Sequence, residues 1–390
     1  MIDTKTIYLD FQASTPISAE AISAMQPYLT ELYGNPHSND HIKGWEANKA
    51  VENSRLKVAV AIGADANEII FTSGATESNN LAIKGLEKHL QNEDKTTILV
   101  SSIEHKCILE TSNYMKERGF NVKVVQPDEN GIIKPSTFKD AMDDDVGLAS
   151  IMFVNNEIGT IQPIEELTEI AHRHGALFHT DAAQAPAFMG LDVRSLNVDL
   201  MSLSSHKAYG PKGIGALYIA SDRRDLIQPL IHGGGQENGL RSGTLPTALC
   251  VGFSEALGLL SQSTDQNTKA LKRLADRFWQ QIKSQIPNAS INGDLIFRHP
   301  GNLNILFPDV DAKDFLQALQ PSVAASTGSA CNSGVENPSY VLAEIGLDRI
   351  KASSSIRFSF GINQSIDEVE EAARIICETY KNTLEINHAA

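Results

Sequence analysis

Ile69-Ile70-Phe71-Thr72-Ser73-Gly74-Ala75-Thr76-Glu77-Ser78 reads as an apolar strand that ends in a turn of small residues and continues as a helix. A run that is apolar throughout belongs to a strand covered on both faces. Similar runs recur at Thr97–Ser101, Asn121–Val125, Leu148–Val154, Ala176–Thr180, Leu200–Leu203 and Gly215–Ile219, and with Glu68–Thr72 they make seven expected strands. Helical stretches such as Glu46–Ile62 and Glu165–His174 lie between them. This alternation predicts an α/β fold on a mainly parallel sheet, with ligands bound beyond the carboxyl ends of its strands. Near Ser261 the character changes. The polar stretch Ser261–Asn267 reads as a linker or an exposed helix start. An amphipathic segment, Lys269–Ile286, follows, and Ser365-Ile366-Asp367-Glu368 is a capping box that opens the last helix. A smaller α+β domain is expected from about residue 261 onward.

The chain has 390 residues, more than one ordinary core accommodates. Its formal net charge of −15 argues against a surface that grips nucleic acid or anionic membrane directly. Met1-Ile2-Asp3-Thr4-Lys5-Thr6 lacks the basic start and apolar core of a signal peptide. No apolar run is long enough to span a bilayer, so a cytoplasmic protein is expected. Cys107, Cys250, Cys331 and Cys377 are far apart. Neither a zinc site nor a disulfide framework follows from that spacing, and no metal is expected.

Four features carry chemistry. The turn Ser73-Gly74-Ala75-Thr76 would aim free backbone amides and a helix dipole at a phosphate, although in isolation plain capping by Ser73 or Thr76 is the stronger reading. In His179-Thr180-Asp181-Ala182-Ala183-Gln184, Asp181 ends an apolar strand, where a carboxylate can hold the proton on the ring nitrogen of pyridoxal phosphate (PLP). In Ser204-Ser205-His206-Lys207, Lys207 follows a strand that is buried by its pattern. Desolvation there lowers its proton affinity and suits it to a Schiff base. Together these give a phosphate turn, a ring-nitrogen acid and a Schiff-base lysine in one chain order. The fourth feature is Cys331, within the small, polar stretch Ser326–Gly334, where an exposed and mobile thiol is expected. For Cys107, Cys250 and Cys377, packing is the stronger reading. His105 is placed to stack on a ring and exchange protons. Arg357, in Ser353–Ser359, is suited either to clamping a substrate carboxylate or to a structural ion pair.

The ordered motifs YLDFQASTP (Tyr8–Pro16), GNPHS (Gly34–Ser38), FTSGATESNN (Phe71–Asn80), EHK (Glu104–Lys106) and VNNEIG (Val154–Gly159) continue through HTDAAQ (His179–Gln184) and SSHKAYGPKGIGALY (Ser204–Tyr218). HGGGQENGLRSGTLP (His232–Pro246), STGSACNSG (Ser326–Gly334) and SSIRFSFG (Ser354–Gly361) complete the series. Through them the chain resembles the cysteine desulfurases of the NifS/IscS type, within the fold-type I, class V aminotransferase-like PLP enzymes. The resemblance implies a PLP-transferase large domain, residues 17–260, on a seven-stranded sheet. It adds residues 1–16 to 261–390 as the small domain carrying a mobile catalytic cysteine loop. Lys207 would hold the cofactor covalently. Asp181 would pair with its ring nitrogen, Gln184 with its ring oxygen, and His105 would stack on it. Ala75, Thr76, Ser204 and His206 would hold its phosphate, with Thr244 reaching across a homodimer. Asn35, Asn156 and Arg357 would bind the substrate carboxylate, Asn156 also lying beside the cofactor.

The implied reaction takes sulfur from L-cysteine, leaving L-alanine and a persulfide on Cys331. Acceptor proteins would draw on it for iron–sulfur cluster assembly, tRNA thiolation or DNA phosphorothioation. A selenocysteine lyase or an aminotransferase of the same fold needs Lys207 and Asp181 but no thiol at 331. A dinucleotide-binding module is disfavoured, because Gly233-Gly234-Gly235-Gln236-Glu237-Asn238 lacks the last glycine of that fingerprint. A non-catalytic protein on the same fold would bind no PLP.

Overall fold

The computed structural model describes residues 6–328 and 338–389. Twelve strands occur among them: β1 (Ile7–Tyr8), β2 (Ile69–Thr72), β3 (Thr97–Ser101), β4 (Asn121–Val125), β5 (Val146–Ser150), β6 (Leu177–Asp181), β7 (Leu200–Ser204), β8 (Gly215–Ile219), β9 (Ser290–Asn292), β10 (Asn302–Leu306), β11 (Val323–Ala324) and β12 (Ser355–Ser359). Seven form one sheet in the order β2-β8-β7-β6-β5-β3-β4. Only β8 runs against its neighbours, β2 and β7. The expected α/β class and mainly parallel seven-stranded sheet are observed. β5 starts two residues before the expected Leu148 and ends at Ser150. Its neighbour β3 stops at Ser101, so beyond Ser150 the chain pairs on one side only, from Ile151 and Phe153 to the carbonyls of His179 and Asp181.

Alternate residues of each strand feed two apolar layers. Ile70, Val100, Leu148, Leu177, Leu200 and Leu217 pack with Leu81, Ile83 and Ile108 of the helices Ala75–Lys84 and Lys106–Glu117. On the opposite face Phe71, Leu99, Phe178, Met201, Leu203 and Tyr218 pack with Val51 and Val58 of helix Ile42–Ala61 and Phe253 of helix Thr247–Gln262. Six of the seven strands are therefore buried at every position, and only the edge strand β4 is partly exposed.

The remainder forms an antiparallel sheet in the order β12-β10-β9. Helices Thr264–Gln285 and Ile366–Ala389 accompany it. The first helix buries Leu271, Leu274, Ala275, Phe278 and Ile282, the one-sided period of an amphipathic helix. The polar stretch at 261–267 is a break at Ser263 between two helices. The capping box is present: Glu368 N–H donates to Ser365 Oγ (3.1 Å) and Ser365 N–H to Glu368 Oε2 (3.3 Å). The amino-terminal strand β1 pairs in parallel with β11. Phe278, Ile305 and Phe358 belong to the same buried apolar cluster as the large sheet's lower face.

Register decides where the site lies. Thr72 stands opposite Gly215, Gly215 opposite Ser204, and Asp181 opposite Ser202. The carboxyl ends of β2, β6 and β7 therefore meet at one edge.

Candidate active site

Beyond that edge lies a cavity of about 480 Å³, in the range that holds a cofactor or small substrate. Ala75, Thr76, His105, Asn156, Asp181, Gln184, Ser204, His206, Lys207 and Arg357 all line it. The strand–turn–helix of 69–84 forms one wall. Gly74 has φ +149°, and a Cβ built on it would meet no atom within 4 Å, so the turn opens on the cavity. Gly215 answers another need: a Cβ there would come within 2.7 Å of Gly74 Cα. The first amides of helix Ala75–Lys84 have no acceptor within the helix, and they face this opening with its positive dipole end.

Asp181 is placed by its strand and held from two sides. Asn79 Nδ2 donates to Oδ2 (2.7 Å) and the Ala183 amide to Oδ1 (2.9 Å). Lys207 lies on a short 3₁₀ turn after β7, and its Nζ donates to the carbonyls of Gln12 and Ala13, the latter at 2.9 Å. Those carbonyls come from the segment after β1, which crosses the cavity from the other side.

His105 caps the helix Lys106–Glu117: its Nδ1 accepts the Cys107 amide at 3.2 Å, which leaves the ring proton on Nε2. Burial lowers its pKa against an opposing pull from Asp181, so the ring is neutral near pH 7. His206 is pushed down to about 4 by burial, with the Lys207 and Lys212 charges adding. Glu104, fully buried beside His105, is pushed up to about 8, chiefly by burial. Its Oε1 accepts from Ser101 Oγ (2.6 Å) and the Met152 amide (2.8 Å), while Oε2 has no partner.

Two motif residues fall elsewhere. Asn35 and Thr244 are exposed and do not line this cavity; Asn35 Oδ1 instead accepts the His37 amide at 2.9 Å. Cys331 lies outside the described residues. Cys107 packs beside the apolar layer of Ile70 and Ile108, as expected, and also stands in the wall of the site. It lines the cavity, with Sγ 3.0 Å from His105 Nδ1 and 3.1 Å from Asn79 Nδ2, and burial pushes its thiol up to about 12. Its closeness to His105 in sequence was the one signal of this. Cys250 and Cys377 are buried, as expected. Gln12 also joins the wall. Among the described residues no His/Cys/Asp/Glu cluster fits a metal ion, and no helix is long and apolar enough to cross a membrane.

The donor set suits PLP: helix-start amides for a phosphate, a strand-end carboxylate for a ring nitrogen and a strand-end amine for an aldehyde. Gln12, Asn156 and Arg357 add polar side chains to the same cavity. Comparison with known proteins agrees. Residues 7–371 match the family model for class-V aminotransferases. A cysteine desulfurase IscS of Rickettsia bellii is 47% identical over 371 residues, 95% of this chain and 90% of the relative. A solved NifS-like protein superposes with a TM-score of 0.90 at 34% identity, covering 97% of this chain and all (100%) of that one. SspA, solved in complex with cysteine, superposes with a TM-score of 0.79 at 38% identity over 91% of this chain and 99% of its own. The fold and site are those of a PLP-dependent enzyme. The chain belongs to the class-V aminotransferase family and, within it, to the cysteine desulfurases of the NifS/IscS type.

Proposed function

We propose that this enzyme takes the sulfur of L-cysteine, releases L-alanine and holds the sulfur as a persulfide on Cys331 for transfer to acceptor proteins. Convergence of Lys207, Asp181 and Arg357 on one cavity carries the reading. The cysteine complex of SspA, a relative 38% identical, supports the substrate.

Bound PLP supplies an electron sink for charge that develops at the substrate Cα. Ala75, Thr76, Ser204 and His206 hold its phosphate, Asp181 keeps its ring nitrogen protonated, and Gln184 contacts its ring oxygen. Arg357, with Asn156, receives the substrate carboxylate. Lys207 Nζ would take the substrate α-proton and return it, with His105 Nε2–H as a second proton donor. Cys331 attacks the substrate sulfur as thiolate. An S–S bond forms, the Cβ–S bond breaks, and its electron pair stays on Cβ, which takes up a proton. Substrate cysteine and the Cys331 thiol thus become alanine and a Cys331 persulfide, with no outside oxidant. Residues 17–260 form the cofactor-bearing unit, and 1–16 with 261–390 form the smaller one. A homodimer brings Thr244 of one copy to the phosphate bound by the other. The acceptor serves iron–sulfur cluster assembly or the thio-modification of tRNA or DNA.

Alanine release and persulfide on the holoenzyme, with L-cysteine as substrate, test this. Cys331→Ala should abolish both yet keep the yellow chromophore, whereas Lys207→Ala should lose the chromophore that borohydride fixes. Alanine release by Cys331→Ala at the parent rate overturns the role of Cys331.

A further inference from the structure

Arg357 sits at the centre of β12, opposite Asn304, and is 3% exposed. Its guanidinium is already engaged. One terminal nitrogen donates to the Asn156 carbonyl (2.7 Å); the other donates to Asp10 Oδ1 (2.6 Å) and Ser326 Oγ (2.9 Å). Only Nε lacks a partner. Asp10 is fixed by the fold. Before it Leu9 N–H donates to the Ala324 carbonyl (2.8 Å) and the Leu9 carbonyl accepts Ser359 N–H (2.8 Å), and after it Phe11 N–H donates to the Ser359 carbonyl (3.4 Å), so Asp10 is stitched between β11 and β12. Ser326 Oγ lies 3.2 Å from the same Asp10 oxygen. An anion entering the cavity at Arg357 thus meets a cation that is aimed and partly neutralised by a carboxylate of the chain itself.

We propose that Asp10 is the positioning residue of the substrate-carboxylate site: it aims Arg357 and moderates its charge, so that amino-acid carboxylates bind weakly enough to exchange. This rests on the reading of Arg357 as the carboxylate-binding residue. A carboxylate shared with Arg357 lies within a few ångströms of Asp10, and two anions on one partly buried cation repel strongly. Removing the charge while keeping an acceptor oxygen should therefore tighten ligand binding. A defect of structure alone would loosen it.

The test is equilibrium binding of L-alanine to the holoenzyme, read by the cofactor's absorbance, with ethylamine, which lacks the carboxylate, as control. Asp10→Asn should lower the L-alanine Kd about tenfold and leave ethylamine unchanged. Should Asp10→Asn fail to fold, Asp10→Gln removes the same charge and keeps an amide oxygen, and the same tightening is expected. Arg357→Ala should weaken L-alanine towards ethylamine. If it does not, the Arg357 reading itself falls and the proposal with it. If it does, but both Asp10 variants leave L-alanine binding unchanged or weaker, the role of Asp10 is overturned and that of Arg357 stands.

Discussion

Glu104 keeps its proton at neutral pH because the cost of burying charge outweighs the two hydrogen bonds that favour the carboxylate, and Asp181 adds repulsion. Its folded-state pKa of about 8 exceeds the ordinary 4.5. Between those values the folded chain binds more protons at this site than the unfolded chain, so Glu104 costs progressively more stability as pH rises. Glu104→Gln mimics the protonated form. Its melting temperature relative to the parent should rise between pH 5 and pH 8, by about 2 °C or more. A difference that is flat with pH would show that Glu104 is ionised throughout. Cys107 and Asn79 show what a motif search passes over. Asn79 is an ordinary helical asparagine in sequence, yet its amide bridges Asp181 and Cys107.

The loop of 231–246 between β8 and the following helix is tied down by one acid. Glu237 receives Arg55 through two bonds of 2.7 Å, and its Oε2 also accepts the Phe71 amide at 2.7 Å. Arg55 lies on helix Ile42–Ala61 and Phe71 on β2, so a helix, a strand and a loop share one carboxylate. Glu237 itself holds φ +53°, a conformation that a side chain rarely adopts unless its contacts require it. Glu237→Ala takes the buried carboxylate from the Arg55 guanidinium and leaves it the more exposed Glu52 and the Ile69 carbonyl. It should destabilise the protein by about 3–5 kcal/mol, which urea unfolding would read as a lower midpoint with little change in slope. The glycine-rich approach to this loop argues for a backbone shape, but its anchor, Arg55, is 182 positions away in sequence.

For the molecule as a whole, the single chain assembles a cavity that lacks two of its expected contributors. Thr244 is on the surface, and so is Asn35. If Thr244 serves the site of a second copy, defects in Lys207 and Thr244 should complement. Lys207→Ala chains should be inactive, and Thr244→Val chains should bind PLP weakly. Mixed dimers, however, contain one site with an intact lysine from one copy and an intact threonine from the other. PLP affinity and alanine release should both recover on mixing and exchange. No recovery would mean that Thr244 does not act across the dimer.

The sheet was readable from the chain because burial on both faces leaves a local trace: such strands are mostly apolar on both faces, and their polar residues, such as Asp181 and Ser204, gather towards the carboxyl ends. The cofactor chemistry was readable for a related reason, since the turn at Ser73–Thr76, Asp181 and Lys207 each end a recognisable strand. Position in a strand is local, whereas partnership is not. Gln12 reaches Asn302, 290 positions on, and Lys207 donates to the carbonyls of Gln12 and Ala13. Asp10 meets Arg357 only because β1 and β12 are stitched into one corner. Such contacts follow from how the two sheets come together, and no spacing or composition encodes them. Polar groups in the chain announce what they are able to do; which of them a buried neighbour has already engaged is settled by packing.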